Sequence, residues 1–265
     1  MKNLTRSVTA AVAATAALAL SLTGCATQPA PGPSASESAA TPRTLTVFAA
    51  ASLTQTFTEL AEQFEADHPG VTVSLVFDGS SGLAAQLTEG APADVFAAAN
   101  LTTMKTVVDA GLAEDPQVFV SNVLEIATPP GNPAGIQSFA DLAGADVRLV
   151  VCAPEVPCGA ATQKVEAATG VTLTPVSEEN AVTDVLGKVT SGDADAGLVY
   201  ATDVLSAGDA VDGIPFPEAD QAVNDYPIAA LKAAPQAELA AEFVEFILGA
   251  TGQKVLTDAG FRPAP

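Results

Sequence analysis

The chain has 265 residues, enough for one large domain or two ordinary ones at roughly 100–200 residues per domain. Its formal charge of −21, from 10 Lys and Arg against 31 Asp and Glu, argues against nucleic-acid binding, because that binding needs basic side chains to neutralise phosphates. The single histidine, His68, excludes a histidine-ligated metal centre. A Ser-His-Asp triad would have to use this one residue.

The N-terminus has the pattern of an export signal. Two basic residues precede an apolar run over residues 8–22, which is shorter than the roughly 20 residues of a membrane span. The run ends at residues 22–25 (LTGC), a tetrapeptide that resembles the bacterial lipobox. We therefore expect residues 1–24 to be a lipoprotein signal peptide and Cys25 to be lipidated. An ordinary secretory signal with a fortuitous cysteine is the alternative.

Residues 25–43 are rich in Pro, Ala and Ser, a composition that cannot bury a core and is typical of a flexible tether. Acyl chains on Cys25 would supply the anchoring signals that stable membrane attachment requires. We therefore expect an extracytoplasmic protein that is held by lipid to the outer face of the cell membrane.

From residue 44 onward, short β-branched runs alternate with helical periodicity. Strands are predicted at residues 45–48, 71–77 and 93–97, and helices at residues 53–64 and 83–87. A capping-box pattern at residues 52–55 predicts the start of the first helix, and residues 68–70 (HPG) predict its end. Strands that alternate with helices indicate parallel pairing with right-handed crossovers, hence an α/β fold.

The pattern repeats after a turn-rich segment at residues 128–133. Strands are predicted at residues 147–151 and 196–200, and helices at residues 160–168, 182–189, 237–248 and 252–259. The boundaries predicted for two lobes are residues 44–123 with 226–265 for lobe I and residues 124–225 for lobe II. A chain that returns to its first lobe crosses twice, which predicts hinge strands near residues 121–127 and 224–231.

Serines follow two predicted strands at the points where helices begin: Ser52 follows the first strand and Ser80 the second. Such turns lie at the carboxyl edge of a parallel sheet, where ligands bind. Each offers unpaired backbone N–H groups, a hydroxyl and the positive end of a helix dipole, which together can hold an anion. Both serines could instead be ordinary N-cap residues.

Cys152 and Cys158 are separated by a short segment that contains two prolines. In an exported protein this spacing predicts a small disulfide-closed loop, whereas a zinc site would need further ligands that the chain does not offer. The entropic stabilisation from so short a loop is only about 2 kcal/mol. We therefore expect the disulfide to make the following helix start rigid. Residues 193–197 lack the distal glutamate of a calcium loop, and no metal site is predicted.

The chain resembles the extracytoplasmic molybdate-binding proteins of ABC importers, in the form of actinobacterial lipoproteins. The similarity extends from residue 45 to residue 263 through the segments VFAAASLT, FDGSSGLAAQL, GAPADVFAAA, CAPEVPCG, DADAGLVYATD, NDYPIAAL and GFRP. This resemblance implies a type II periplasmic-binding-protein fold. In that fold each of two lobes is a mostly parallel sheet flanked by helices, and two linker strands form the hinge.

The resemblance also implies a set of ligand-binding residues. The family holds a tetrahedral oxyanion between its lobes with uncharged donors and without a metal ion. Carried over by motif, the donors are the hydroxyls and N–H groups of Ser52 and Ser80, the backbone N–H groups of Cys158 and Val182, and the Tyr200 phenol. Cys158 stands where alanine is more usual, and Ala181 competes with Val182 for its role. Tyr200 taken alone could be a core aromatic residue.

The function implied by the resemblance is that of a non-enzymatic receptor. It would capture molybdate or tungstate, use no cofactor, act as a monomer and deliver its ligand to an ABC permease and ATPase. A receptor for sulfate or another tetrahedral oxyanion is one alternative. An enzyme with Ser80 as nucleophile is a second, although no base is placed beside it. A structural or adhesive lipoprotein is a third.

Overall fold

The computed structural model describes residues 42–265, which belong to one compact unit. The predicted signal peptide, Cys25 and all but the last two residues of the predicted tether lie outside the described residues. In residues 42–265, no helix is long and apolar enough to span a membrane.

The described strands are β1 (Arg43–Ala50), β2 (Val71–Asp78), β3 (Val95–Ala97), β4 (Gln117–Asn122), β5 (Leu124–Thr128), β6 (Leu149–Cys152), β7 (Ser177–Glu179), β8 (Ala196–Tyr200), β9 (Asp212–Ile214), β10 (Asn224–Ala230) and β11 (Arg262–Pro263). The α-helices are α1 (Thr54–Asp67), α2 (Ser80–Thr88), α3 (Leu101–Asp109), α4 (Pro157–Thr169), α5 (Val182–Thr190), α6 (Ala201–Ala207), α7 (Ala237–Leu248) and α8 (Ala250–Asp258). Short 3-10 helices occur at Ala51–Leu53, Phe139–Ala143, Gly208–Ala210 and Pro217–Ala222.

The strands form two sheets, each flanked by helices. The first has the order β11-β4-β10-β3-β1-β2 and the second the order β7-β6-β8-β5-β9. Pairing is parallel within β2-β1-β3 and within β7-β6-β8, and antiparallel elsewhere. Both sheets are therefore mixed, and the expectation of mostly parallel strands holds only for these two groups. The antiparallel pairs all involve strands that lie next to a passage between sheets, or the C-terminal strand.

The chain passes between the sheets twice. It leaves the first sheet at Val123, between β4 and β5, and returns through the 3-10 helix Pro217–Ala222 into β10. The first passage lies within the segment predicted near residues 121–127, whereas the second directly precedes the segment predicted near residues 224–231, which is strand β10 of the first sheet. We call the part of the molecule built on the first sheet lobe I and the part built on the second sheet lobe II.

Helix α1 shows how the local sequence produces the core. Its predicted apolar face is fully buried at Phe57, Leu60 and Phe64. Phe64 packs edge-on against Phe243 of α7, with ring centroids 5.1 Å apart. The 3.6-residue spacing of these side chains places them on one face, and their burial stabilises the helix against β1. The predicted helix over residues 53–64 is confirmed.

Two local predictions are wrong at the edges of elements. The capping box at residues 52–55 does not form, because Ser52 lies in a 3-10 helix and α1 begins at Thr54 without a side-chain cap. The third strand begins at Val95 instead of residue 93. Asp94 uses its carboxylate to accept the backbone N–H groups of Thr46 and Gln236, each at 2.7 Å, so it joins β1 through its side chain.

Candidate functional site

A small cavity, which we call the interlobe cavity, lies between the two lobes. It is lined by Ala50, Ala51, Ser52, Gly79, Ser80, Ala99, Val156, Pro157, Cys158, Val182 and Tyr200. All five residues predicted as binding residues are in this set, and Val182 rather than Ala181 lines the wall. None of the lining residues is charged. Any anion held here would therefore be held by neutral groups.

Three helices begin at the interlobe cavity. Their first residues are Ser80 of α2, Pro157 of α4 and Val182 of α5, and no side chain caps any of the three. The N–H groups of a first helical turn have no partner within the helix, and the helix dipole adds positive potential there. Pro157 has no N–H group, so Cys158 provides the first amide of α4. The convergence of these helix starts creates an electropositive cavity without any cation.

The hydroxyls in the interlobe cavity are oriented by hydrogen bonds that they accept. Ser80 Oγ accepts the backbone N–H of Ala99 at 2.9 Å, and the Tyr200 hydroxyl accepts from Asn224 Nδ2 at 2.7 Å. Because a hydroxyl carries one proton and each oxygen already accepts, the Ser80 proton is available to a ligand, whereas the Tyr200 proton can go to a ligand or to the neighbouring Tyr226 hydroxyl, with which Tyr200 is hydrogen-bonded. Ser52 Oγ lies 2.9 Å from the Tyr226 hydroxyl, and either group can donate.

Burial keeps the phenols protonated. Desolvation raises the pKa of Tyr200 and that of Tyr226 well above the ordinary tyrosine value. Tyr200 is 1% exposed and Tyr226 is fully buried. A phenol that keeps its proton at every physiological pH is a permanent hydrogen-bond donor. The Tyr200 hydroxyl therefore provides the same polarity as the helix N-termini around it.

Asp203 has a buried carboxylate next to Tyr200, which lines the interlobe cavity. Asp203 accepts the backbone N–H of Tyr200 at 2.8 Å and is 6% exposed. Desolvation raises the pKa of Asp203 to about 7. The residue borders a second opening, here called the Asp203 cleft, lined by Ala51, Ser52, Thr54, Gln55, Thr56, Thr183, Leu186, Thr202, Asp203, Ser206, Ala259 and Phe261. Both lobes contribute to this cleft, but it does not include the predicted donors of lobe II.

The lobes touch across the interlobe cavity. Ser81 Oγ of lobe I donates to the carbonyl oxygen of Glu155 in lobe II at 2.8 Å. The backbones come closest at Gly79, where a β-carbon would lie 1.9 Å from the carbonyl oxygen of Asn180. Real β-carbons do not approach other atoms within 3.0 Å. The structure is thus a closed form, and closure at this point requires glycine.

A disulfide joins Cys152 to Cys158, whose Cα atoms are 5.7 Å apart. Cys152 ends β6, and Cys158 is the second residue of α4. The bond therefore fixes the start of α4 to the end of the strand that precedes it. This attachment holds the Cys158 amide in place at the wall of the interlobe cavity.

Sequence reasoning missed three residues that hydrogen-bond to the predicted donors. Asn224, Ala99 and Tyr226 contact the predicted donors, and all three are buried. One signal was present, since Asn224 is a polar residue at the start of a segment predicted to be a hinge strand. Within residues 42–265, no group of three or more His, Cys, Asp or Glu side chains could hold a metal ion.

The fold and the cavity together define a class of protein. Two α/β lobes, joined by two passages of chain and closed over a cavity of uncharged donors, form a receptor that holds a small solute between its lobes. Comparison with known proteins agrees. Residues 45–262 match the family described as bacterial extracellular solute-binding protein, and the chain belongs to this family. These are binding proteins and not enzymes.

Individual relatives and a solved structure agree with this family. The chain is 52% identical over 220 residues to the molybdate-binding protein ModA of Mycobacterium tuberculosis, covering 83% of this chain and 84% of that protein. It is 30% identical to the putative ABC transporter substrate-binding lipoprotein YvgL of Bacillus subtilis, covering 82% and 86%. The structure of the periplasmic molybdate-binding protein of Azotobacter vinelandii superposes with a TM-score of 0.73 at 22% identity, covering 83% of this chain and all of that one.

Proposed function

We propose that this protein captures molybdate or tungstate outside the cytoplasm and delivers it to an ABC importer. The observation that carries the proposal is the interlobe cavity, which is lined by neutral hydrogen-bond donors from both lobes and by no charged residue. The proposed ligand contacts are the hydroxyls and N–H groups of Ser52 and Ser80, the N–H groups of Cys158 and Val182, and the Tyr200 hydroxyl.

A site made only of donors selects its ligand by protonation state. A fully deprotonated dianion accepts every hydrogen bond, whereas the proton of hydrogen phosphate would find no acceptor and would remain unsatisfied. A hydrogen bond to a charged group contributes about 1.5–3 kcal/mol, so several of them together support submicromolar binding. Neutral dipoles can therefore hold an anion in a protein with an excess of acidic residues.

The relatives support both the proposed ligand and the proposed role in an ABC transporter. The Mycobacterium tuberculosis relative is a molybdate-binding protein, and the Bacillus subtilis relative is described as an ABC transporter substrate-binding lipoprotein. We infer that this chain likewise serves a permease and an ATPase. We also infer that it acts as a monomer and is anchored to the outer face of the cell membrane by lipid on Cys25.

Calorimetric titration of the purified protein with molybdate, tungstate, sulfate and phosphate tests the proposal. We expect submicromolar binding of molybdate and tungstate, and binding of phosphate weaker by about 100-fold or more. Tightest binding of sulfate would assign the protein to the sulfate receptors. A structural or adhesive role would show no heat with any of the four anions and no rise in melting temperature on their addition.

Replacing Tyr200 with phenylalanine tests the lobe II donor. The change removes one hydrogen bond to the anion and should weaken molybdate binding by about 10- to 100-fold. Titration calorimetry measures the loss. The ring stays in place but its buried hydrogen bond with Asn224 is lost, so the melting temperature without ligand should fall by about 2–4 °C. Unchanged affinity would remove Tyr200 from the set of ligand contacts.

A further inference from the structure

We propose that Asn224 is a positioning residue that forces the interlobe cavity to act only as a donor of hydrogen bonds, an inference that rests on the proposed function. The side-chain amide of Asn224 contacts three groups that belong to or adjoin the predicted donors. Its Nδ2 atom lies 2.7 Å from the Tyr200 hydroxyl, 2.9 Å from the Ala99 carbonyl oxygen and 3.3 Å from the Pro157 carbonyl oxygen. Asn224 itself does not line the cavity.

The contact with Tyr200 sets the direction of that hydroxyl. An amide NH₂ group can only donate, so the phenol oxygen has to accept from Asn224. The single phenol proton is then directed away from Asn224, towards the ligand or the neighbouring Tyr226 hydroxyl. Without this amide, the hydroxyl could rotate and present its oxygen to the cavity, where it would repel an anion.

The contact with Pro157 acts on the neighbouring amide. The carbonyl of Pro157 and the N–H of Cys158 belong to one peptide group, and in a trans peptide they point in opposite directions. A hydrogen bond to the carbonyl oxygen from Asn224 therefore holds the Cys158 N–H on the side away from Asn224. The same hydrogen bond polarises the peptide, which strengthens its N–H as a donor.

Through its contact with Ala99, Asn224 also orients a donor of lobe I. Asn224 donates to the carbonyl oxygen of Ala99, and the N–H of the same residue donates to Ser80 Oγ at 2.9 Å. Ser80 therefore keeps its own proton for the ligand. One buried amide, whose two protons are shared among three acceptors, thus acts directly or through Ala99 on three of the five predicted donors.

Asn224 also lies where its hydrogen bonds can join the two lobes. The residue begins β10, directly after the chain returns from lobe II to lobe I, and is 3% exposed. Its bond to Ala99 lies within lobe I, whereas its bonds to Tyr200 and Pro157 cross to lobe II. Both crossing bonds are present in this closed form, so the donors of lobe II are oriented while the lobes are closed.

The test is the substitution Asn224→Asp, which keeps the shape of the side chain but can only accept from Tyr200. The Tyr200 proton would turn to the new carboxylate, and the phenol oxygen would face the ligand. We expect molybdate affinity to fall by about 100-fold. We also expect the ratio of phosphate to molybdate dissociation constants to fall by about tenfold, because the proton of hydrogen phosphate would gain an acceptor. Both ions are dianions in mildly alkaline buffer, so charge repulsion does not change this ratio.

Two further variants separate positioning from a general loss of structure. Asn132→Asp alters an asparagine of lobe II that does not line the interlobe cavity and whose Nδ2 donates to the carbonyl oxygen of Ile136 at 2.6 Å, and it should leave the phosphate-to-molybdate ratio unchanged. Asn224→Ala, which introduces no charge, should weaken molybdate binding about tenfold in the wild-type background and less in a Tyr200→Phe background, because the two residues act together.

The outcomes distinguish this inference from the function on which it rests. Wild-type protein that binds none of the oxyanions would overturn both. If the wild-type protein binds molybdate but Asn224→Asp leaves the ratio of phosphate to molybdate dissociation constants unchanged, only the inference about Asn224 is overturned. An Asn224→Ala loss of equal size with and without the Tyr200 hydroxyl would also overturn it.

Discussion

Replacing Gly79 with alanine should abolish high-affinity capture while the unliganded protein stays folded. The backbone angles of Gly79, φ −56° and ψ 132°, are ones that alanine adopts without strain. The added methyl group would lie 1.9 Å from the Asn180 carbonyl oxygen of the other lobe, so the lobes could not reach the closed form. Donors on the two lobes would then fail to converge, and we expect the affinity for molybdate to fall by about 100-fold or more.

Gly187→Ala is the matched control for this experiment. Gly187 lies inside α5 of lobe II, and a β-carbon there would meet no atom within 4 Å. The substitution should leave affinity unchanged and stabilise the protein by about 0.5–1 kcal/mol, since alanine is the better helix former. Calorimetry and thermal unfolding of both variants measure these effects. Retention of wild-type affinity in Gly79→Ala would show that ligand capture does not use this closed form.

Replacing Asp203 with asparagine should stabilise the protein at alkaline pH and have little effect at acid pH. The pKa of Asp203 is about 7 in the folded protein against an ordinary value of 3.8, because burial disfavours the charged form. The folded state therefore binds the proton more tightly than the unfolded chain does. The contribution of Asp203 to stability is therefore most favourable below about pH 4, declines as pH rises towards 7, and becomes a cost of about 4 kcal/mol above that value.

Asparagine removes this cost and keeps the contact, since its carbonyl oxygen can accept the Tyr200 N–H that Asp203 accepts. Above pH 7 the melting temperature of Asp203→Asn should exceed that of the wild type by roughly 10 °C. Thermal unfolding across the pH range measures the difference.

Asp195→Asn is a control variant in which the effect on stability should depend on pH in the opposite direction. Hydrogen bonds from Arg148 lower the pKa of Asp195, so its charged form stabilises the fold and this contribution is lost as pH falls. Asp195→Asn should therefore be less stable than the wild type at neutral pH and should approach it in acid. A difference between Asp203→Asn and the wild type that does not change with pH would contradict the assignment to Asp203.

Features set by neighbours along the chain could be predicted from the sequence. The apolar spacing of Leu53, Phe57, Leu60 and Phe64 predicted α1, because helical periodicity alone brings those side chains to one face. Ser52 and Ser80 could be chosen as candidates because each follows a strand at a helix start. The remaining candidates, Cys158, Val182 and Tyr200, depended on resemblance to a family, since no local pattern marks them.

Features set by distant partners could not be predicted. Ser52 was expected to cap α1, but its hydroxyl instead meets that of Tyr226, which is 174 positions away in the chain. Asn224 contacts Ala99 and Pro157, and no periodicity connects such separated residues. The antiparallel pairs of both sheets likewise depend on where the chain returns, which a local pattern of strands and helices does not specify.

The uncharged wall of the interlobe cavity determines how a bound ion would leave. A ligand paired with lysine or arginine can be displaced when other ions compete for the cation, but here the dipoles are fixed in helix starts and buried hydroxyls. Background electrolyte has no counter-charge to exchange inside a closed cavity of this kind. Unloading then requires the lobes to separate, so a transporter that receives the ion has to favour the open form of the protein instead of competing for the anion with a charge of its own.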